Sequence, residues 1–312
     1  MPEVTVVIAT RDRWEHLRDA GLPSALGQQD VELELVVVDD GSTDATPSGL
    51  ARVDDARLRL LRSESSQGVS SARNRGLAEA RAPWVAFLDD DDLWSPLKLR
   101  AQLDAMRSAG ADYAYSAGVV VDSTGTPLRH APAPDPDTVA RALRASAVVG
   151  GPSSVIVRTE LARRLGGFEP SLSVLADWDL WLRVAQTGRA VACPQVLVAY
   201  REHGENMSAW PADLVFGELE TLVERNGIDG EVDGVLFTHW VAANQRRAGR
   251  RLEAARAYLH GAVAFRSPKL LLRAVAMPLG ERAMSSPEKL RRARGRAEQP
   301  PSAPEWLGLP RA

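Results

Sequence analysis

Apolar and polar positions change rhythm twice along this chain. In the first hundred residues, short runs dense in Val, Leu and Ile alternate with stretches where apolar residues return every three or four positions. The runs Val4–Ala9, Leu33–Val38, Arg57–Leu61 and Trp84–Leu88 predict strands, and near-continuous apolarity in such runs marks burial on both faces. Between them, Trp14–Leu26, Thr46–Val53 and Val69–Ala80 carry helical spacing; a further helix, Leu97–Ala109, follows the start signal Ser95-Pro96. This alternation predicts an α/β fold, a mostly parallel sheet flanked by helices.

From Ala111 the rhythm loosens. Tyr113–Val121 alternates like a strand, Asp122 to Gly125 reads as a hairpin turn, and His130–Asp137 carries three prolines and is expected to be a surface loop. A helix near Thr138–Ala147, a strand Ser153–Val157, a helix Glu160–Leu165 ended by Gly166-Gly167, a helix Asp177–Thr187 and a strand Val196–Arg201 follow. Beyond Trp210 only helical spacing remains, in Ala212–Arg225, Val235–Ala248 and Leu252–Phe265. The expected organisation is an α/β domain over residues 1–210, a helical C-terminal region over 211–298 and a proline-rich, disordered tail over 299–312.

Composition narrows the function classes. With 45% hydrophobic and 25% charged residues the chain reads as a soluble globular protein. A net charge of −3 argues against a general nucleic-acid binder. The single cysteine, Cys193, excludes an internal disulfide, fits a reducing compartment and is expected to be a packing residue. Neither a signal peptide nor an apolar stretch of the ~20 residues that span a bilayer is visible. The expected location is cytoplasmic, with peripheral attachment to the inner membrane face as the alternative.

Candidate chemistry gathers where the predicted strands end. Asp89 to Asp92 close the run Trp84–Leu88, and four adjacent anions persist most easily beside a cation. Carboxylates are the ligands Mg²⁺ and Mn²⁺ prefer, so this tetrad is the first candidate metal site for a phosphorylated substrate. Asp39 follows the second strand, where in open α/β sheets a carboxylate meets ligands and can accept from a nucleobase N–H or a ribose hydroxyl. Thr10 to Arg13 end the first strand with three charged residues, and Gly68 to Gly76 open a helix with small residues and two arginines suited to phosphate. Asp177 beside Trp178 is either a desolvated general base or a residue that stabilises the helix dipole. Asp179 sits about 200° away on the wheel and does not share its face. His203, just past the last strand, is a weaker candidate.

Read in order, Val7–Arg13, Val36–Asp44, Ala72–Gly76, Phe87–Trp94, Gly166–Phe168 and Asp177–Arg183 resemble the family 2 glycosyltransferases of GT-A fold. The resemblance covers roughly residues 1–210 and implies a nucleotide-binding GT-A sheet with a C-terminal helical extension. It implies an inverting, metal-dependent transfer from a nucleotide-diphosphate sugar to an acceptor hydroxyl, in polysaccharide, glycolipid or glycosylated-metabolite biosynthesis. It assigns Asp177 as the base, and Thr10, Arg11, Asp39, Arg73, Asp89 and Asp90 to the nucleotide. Asp91 and His203 fall to the metal, Mn²⁺ or Mg²⁺, Asp89 and Asp91 matching the two acids of the DXD motif. The acceptor would be a saccharide, a lipid-linked sugar or a small molecule. Ala176 departs from the pattern, standing where the family often has Glu. Two rivals are a sugar nucleotidyltransferase, disfavoured because Thr10–Trp14 lacks glycine, and a non-catalytic relative that binds sugar nucleotides. The basic stretch Arg266–Arg296 suggests peripheral membrane contact, against a plain helical cap with a solvated basic face.

Overall fold

A computed structural model of the chain describes residues 1–203, 210–277 and 303–307. Its described residues divide into two compact units, the first holding residues 1–143, 147–202 and 303–307, the second residues 144–146, 203 and 210–277.

The first unit is built on β1 (Val4–Thr10), β2 (Leu33–Asp39), β3 (Leu58–Arg62), β4 (Trp84–Phe87), β5 (Leu93–Trp94), β6 (Tyr113–Val121), β7 (Pro127–Ala131), β8 (Val155–Arg158) and β9 (Ala190–Arg201). They form one sheet in the order β3-β2-β1-β4-β8-β6-β9-β5, with β7 paired to β6. Strands β1, β2, β3, β4, β6 and β9 run one way, and β5, β7 and β8 run against them. The sheet is therefore mixed. Antiparallel β8 wedges between β4 and β6 and divides two parallel blocks.

The helices α1 (Trp14–His16), α2 (Leu22–Leu26), α3 (Thr46–Leu50), α4 (Val69–Glu79), α5 (Lys98–Ala109), α6 (Val139–Ala145), α7 (Thr159–Arg164) and α8 (Ala176–Thr187) complete the α/β part of the chain. The span expected to be one helix over Trp14–Leu26 is broken by a π-helical turn, Leu17–Gly21, that brings the Gly21 N–H to the Asp90 carbonyl. One core cluster joins Val4, Val6 and Ile8 of β1 and Leu35 and Val37 of β2 to Leu17 and to Leu99, Leu103 and Met106 of α5. Each fully buried Val, Leu or Ile there contributes roughly 1.5–3 kcal/mol. A second cluster sets Val119, Val121 and Ala199 against Trp306 and Leu307.

Three expectations need correction. The loop foreseen from His130 begins after Ala131, because residues 127–131 pair with β6. The last strand starts at Ala190 rather than Val196, with register shifts against β6 that accommodate Pro194. Within the stretch foreseen as a disordered tail, Glu305–Leu307 forms a short 3₁₀ turn, its Trp306 indole donating to the Val196 carbonyl at 2.9 Å. An indole with an apolar seat and an acceptor for its N–H gains enough to order a few residues.

The second unit holds α9 (Ala212–Asn226), α10 (Gly234–Arg247), α11 (Arg251–Ala264) and α12 (Pro268–Ala276). Asp233 caps α10 by accepting from the Leu236 N–H, and Phe216 packs edge-on against Phe237 with ring centroids 5.3 Å apart. Among the described residues, no helix is long and apolar enough to cross a membrane.

Candidate active site

Parallel strands β1, β2 and β4 end at one edge of the sheet, so Thr10, Asp39 and the residues after Phe87 converge there. Local chemistry shapes each loop. Asp12 has φ of 53°, and its carboxylate accepts from the N–H groups of Thr43 and Asp44, clasping the β1 loop to the β2 loop. Gly41 has φ of 77°, and a Cβ there would stand 2.8 Å from Ser65 backbone, so glycine is required. Asp40 accepts from Ser66 Oγ and from the N–H groups of Gln67 and Gly68, which orders the entry to α4.

Asp39 is fully buried. Its Oδ1 accepts from the Ser42 N–H at 2.9 Å; its Oδ2 has no hydrogen-bond partner and lies 3.6 Å from Arg62 Nε. A buried carboxylate oxygen without a donor is costly unless a ligand supplies one.

The four aspartates are not one bare anionic cluster. Arg13 sets its guanidinium against two of them, with Nε 2.9 Å from Asp90 Oδ1 and Nη2 bonded to Asp91 Oδ2. The Thr10 hydroxyl donates to Asp90 at 2.7 Å. Arg73, on α4, donates to Asp89 at 2.5 Å while its guanidinium lies over the Phe168 ring. Asp92 accepts from the Arg201 N–H. Burial pushes the Asp90 carboxyl up to about 7, against the pull of Arg13 and with the push of Asp91. It drives Asp92 well above the usual range too, helped by Asp91 and Asp89. Arg13 and Arg73 thus supply part of the neutralisation that the sequence alone assigns to a metal. Asp89 is the most open to solvent, its side chain 33% exposed against 11% for Asp91.

Asp177 stands in the first turn of α8, half-buried, accepting from the Trp178 N–H at 2.8 Å. Burial pushes its carboxyl up to about 6, while Arg73 and the Trp178 N–H pull it down. Arg73 therefore acts on Asp89 and Asp177 alike. Asp179 is fully buried; Arg183 binds it and also donates to the carbonyls of Leu165 and Gly167, holding the Gly166-Gly167 turn. Ala176 is buried too, so the position where an acid was anticipated serves packing.

Of the other nominated residues, Arg11 is exposed and pairs with Asp12 at 3.6 Å, and His203 follows β9 and counts with the second unit. The sequence reading gave Arg13, Asp40 and Asn74 no role of their own. The Asn74 amide exchanges two hydrogen bonds with the Phe168 backbone and so ties α4 to the loop before α8. Their only local signal was polarity at a strand end or within the first two turns of a helix.

A family model described as Glycosyl transferase family 2 matches residues 5–166, just over half of the 312-residue chain. Over 129 residues the chain is 40% identical to the succinoglycan biosynthesis protein ExoO of Rhizobium meliloti (strain 1021), a match spanning 41% of this chain and 37% of that protein. It is 28% identical to the UDP-Glc:alpha-D-GlcNAc-diphosphoundecaprenol beta-1,3-glucosyltransferase WfgD of Escherichia coli, over 62% of this chain and 76% of that one. Among solved structures, S. aureus TarS 1–349 in complex with UDP-GlcNAc superposes with a TM-score of 0.61 at 19% identity, covering 88% of this chain and 83% of that one. The mannosyltransferase PcManGT from Pyrobaculum calidifontis, in complex with GDP-Man and Mn²⁺, superposes with a TM-score of 0.56 at 21% identity, covering 91% and 82%. These two likenesses establish a common GT-A architecture.

Proposed function

The chain belongs to glycosyl transferase family 2, and from that premise we propose that it moves a sugar from a nucleoside-diphosphate sugar to an acceptor hydroxyl with inversion at the anomeric carbon. The observation that carries this reading is Asp177, a carboxyl raised to about 6 beside the Arg73–Asp89 pair. A base of that strength is ionised at neutral pH yet retains appetite for a proton. The acceptor O–H gives its proton to Asp177 as its oxygen bonds to the anomeric carbon. The bond from that carbon to the diphosphate breaks on the opposite face, and its electron pair leaves with the diphosphate. Asp39, with an oxygen awaiting a donor, suits a nucleobase N–H, and Thr10 and Asp90 line the same edge.

Mg²⁺ and Mn²⁺ favour oxygen ligands and commonly complete their shells with water and substrate phosphates rather than an all-protein cage. Among the described residues no group of three or more His, Cys, Asp or Glu side chains gathers as a cage, but Asp89 and Asp91 offer oxygens of the right kind. That donor set fits a divalent ion completed by a diphosphate. Asp91 and Asp89 would hold it, and when bound it would supply positive charge against the leaving diphosphate. Arg13 can release Asp91 without stranding Asp90, since its fork touches both. That PcManGT holds Mn²⁺ together with GDP-Man supports a divalent ion at this edge.

Calorimetric titration with UDP-glucose, UDP-GlcNAc and GDP-mannose tests the reading. At least one is expected to bind with Mn²⁺, about tenfold more weakly after chelation, and Asp91→Ala should bind equally with or without the metal. Wild-type affinity indifferent to Mn²⁺ would remove the metal from the mechanism.

For the acceptor we propose a sugar on a lipid carrier, and for the location a membrane face. On α11 and α12 the outward faces carry Leu252, Leu259, Val263, Leu271, Leu272 and Val275, with Leu272 72% and Val275 68% exposed. Residues 251–277 contain Arg251, Arg256, Arg266, Lys269 and Arg273 against the single acid Glu253. Exposed apolar groups set among cations suit an anionic bilayer. WfgD, whose name specifies a diphosphoundecaprenol-linked acceptor, supports the lipid carrier. The remainder of the basic stretch, from 278 to 296, lies outside the described residues. The chain should sediment with phosphatidylglycerol vesicles and not with phosphatidylcholine alone, and Leu272→Glu with Val275→Glu should reduce pelleting several-fold. Pelleting unchanged by those substitutions would clear this surface of the role.

A further inference from the structure

Tyr200 lies in β9, paired in register with Val120 of β6, and its phenol points toward the acidic edge of the first unit. Three glycines shape the slot around it. A Cβ at Gly118 would stand 2.6 Å from Tyr200 Cε2, one at Gly150 would overlap Oη itself, and one at Gly151 would touch Cε1 at 3.7 Å. The would-be Cβ of Gly151 also lies 3.9 Å from Asp177 Oδ2, so the phenol and the proposed base flank the same glycine. Atoms essentially never approach within 3.0 Å of a real Cβ, so Gly118 and Gly150 leave room that the tyrosine occupies.

Despite this fit, Oη is buried and makes no hydrogen bond of ordinary geometry. Neighbouring Ser154 directs its own hydroxyl to the Gly151 carbonyl at 3.0 Å. Burial, with the charges of Asp92, Asp177 and Asp89, outweighs the lowering pull of the adjacent Ser154 hydroxyl and holds the phenol far above its usual range, so it stays protonated and is available to donate. Asp89 and Asp177 can only accept when ionised, whereas this group is a neutral donor beside them. A buried hydroxyl left without a partner costs about 1–3 kcal/mol, a cost that a ligand oxygen would remove.

We infer that Tyr200 is a specificity residue whose hydroxyl donates to an oxygen of the donor sugar bound beside Asp177, with Gly118, Gly150 and Gly151 conserving the space that aims it. The inference rests on the transferase reading above, because it needs a sugar at that edge. It does not need Tyr200 to touch the nucleotide, which the Asp39 side of the edge would hold.

The test compares UDP and UDP-glucose (with UDP-GlcNAc and GDP alongside GDP-mannose as further pairs) by calorimetry on the full chain with Mn²⁺. Tyr200→Phe should weaken the sugar nucleotide that the wild type binds by roughly tenfold, the loss of one buried hydrogen bond, and leave the matching nucleoside diphosphate unchanged. Equal affinity of variant and wild type for the sugar nucleotide overturns the inference while leaving the transferase reading intact. So does an equal loss for both ligands, which would mark a merely structural tyrosine. If the wild type binds no sugar nucleotide, the transferase reading falls and carries this inference with it. Gly150→Ala supplies an independent check. It should reproduce the selective loss in the wild-type background and have a smaller effect in the Tyr200→Phe background, where the overlapping oxygen is gone and only the tighter contacts with the ring and Ser154 Oγ remain. Additive effects would mean that the glycine does not act through the hydroxyl.

Discussion

Asp177→Asn is expected to lower the transfer rate by roughly 10²–10⁴-fold, the span typical of a general base, with sugar-nucleotide affinity unchanged. The argument is electrostatic as much as positional. A carboxyl pushed up to about 6 by burial must lose its proton before it can take one from the acceptor. Wild-type kcat should therefore climb with pH and level off above an apparent midpoint near 6, and any residual rate of the asparagine variant should lack that limb. The stability effect has the opposite sign. A carboxyl whose folded pKa lies above its unfolded value of 3.8 binds more protons in the folded state between those values, so its contribution to stability is fully present below 3.8 and is lost as pH rises through about 6. Asp177→Asn should then be no less stable than the wild type at pH 8, and slightly more so, which separates lost activity from lost folding. Unaltered turnover would remove Asp177 from the base role.

Arg13→Ala carries the largest expected cost in stability. Its guanidinium touches Asp90 and Asp91 together, and all three side chains are largely buried. Removing one partner of a buried ion pair costs about 3–5 kcal/mol, because the remaining charge is left in a poor dielectric. Here the loss should grow with pH. At low pH Asp90, raised to about 7 even against the pull of Arg13, escapes by holding its proton; above neutrality the variant, without that pull, must keep the proton at growing cost or leave the carboxylate bare. Urea unfolding at pH 5.5 and pH 8 would measure both values. Adding Asp90→Asn to Arg13→Ala should recover part of the loss, since an amide needs no counter-charge. A cost that is flat with pH would show that Arg13 holds the edge by packing alone. In the sequence Arg13 counts only as one of three charges after the first strand; its position beneath Asp90 and Asp91, some eighty residues on, gives it this weight.

The same contrast runs through the rest of the molecule. Runs such as Val4–Thr10, Leu33–Asp39 and Tyr113–Val121 are legible because burial on both faces demands continuous or alternating apolar residues, and that demand is local. Asp39 and the aspartates after Phe87 are legible as an edge for a related reason: parallel strands share a direction, so residues at their carboxyl ends must meet. Strand β5 was invisible, since two residues carry no period and Leu93-Trp94 becomes a strand only by pairing with Ala199 and Val198. The burial of Asp179 was missed because its partner Arg183 earns its place through the carbonyls of Leu165 and Gly167.

By itself, then, the order of residues determined which segments are buried, which way the parallel strands face and which acids gather where they end. Those properties follow from periodicity and chain direction, which act within one element. Tertiary structure alone decided how the charges divide: Arg13 to Asp90 and Asp91, Arg73 between Asp89 and Asp177, and a phenol from β9 set into three glycines. Coulomb and hydrogen-bond energies depend on distances across the fold, and those distances exist only once the insertion of β8 has placed β6 and β9 beside the β1–β4 block.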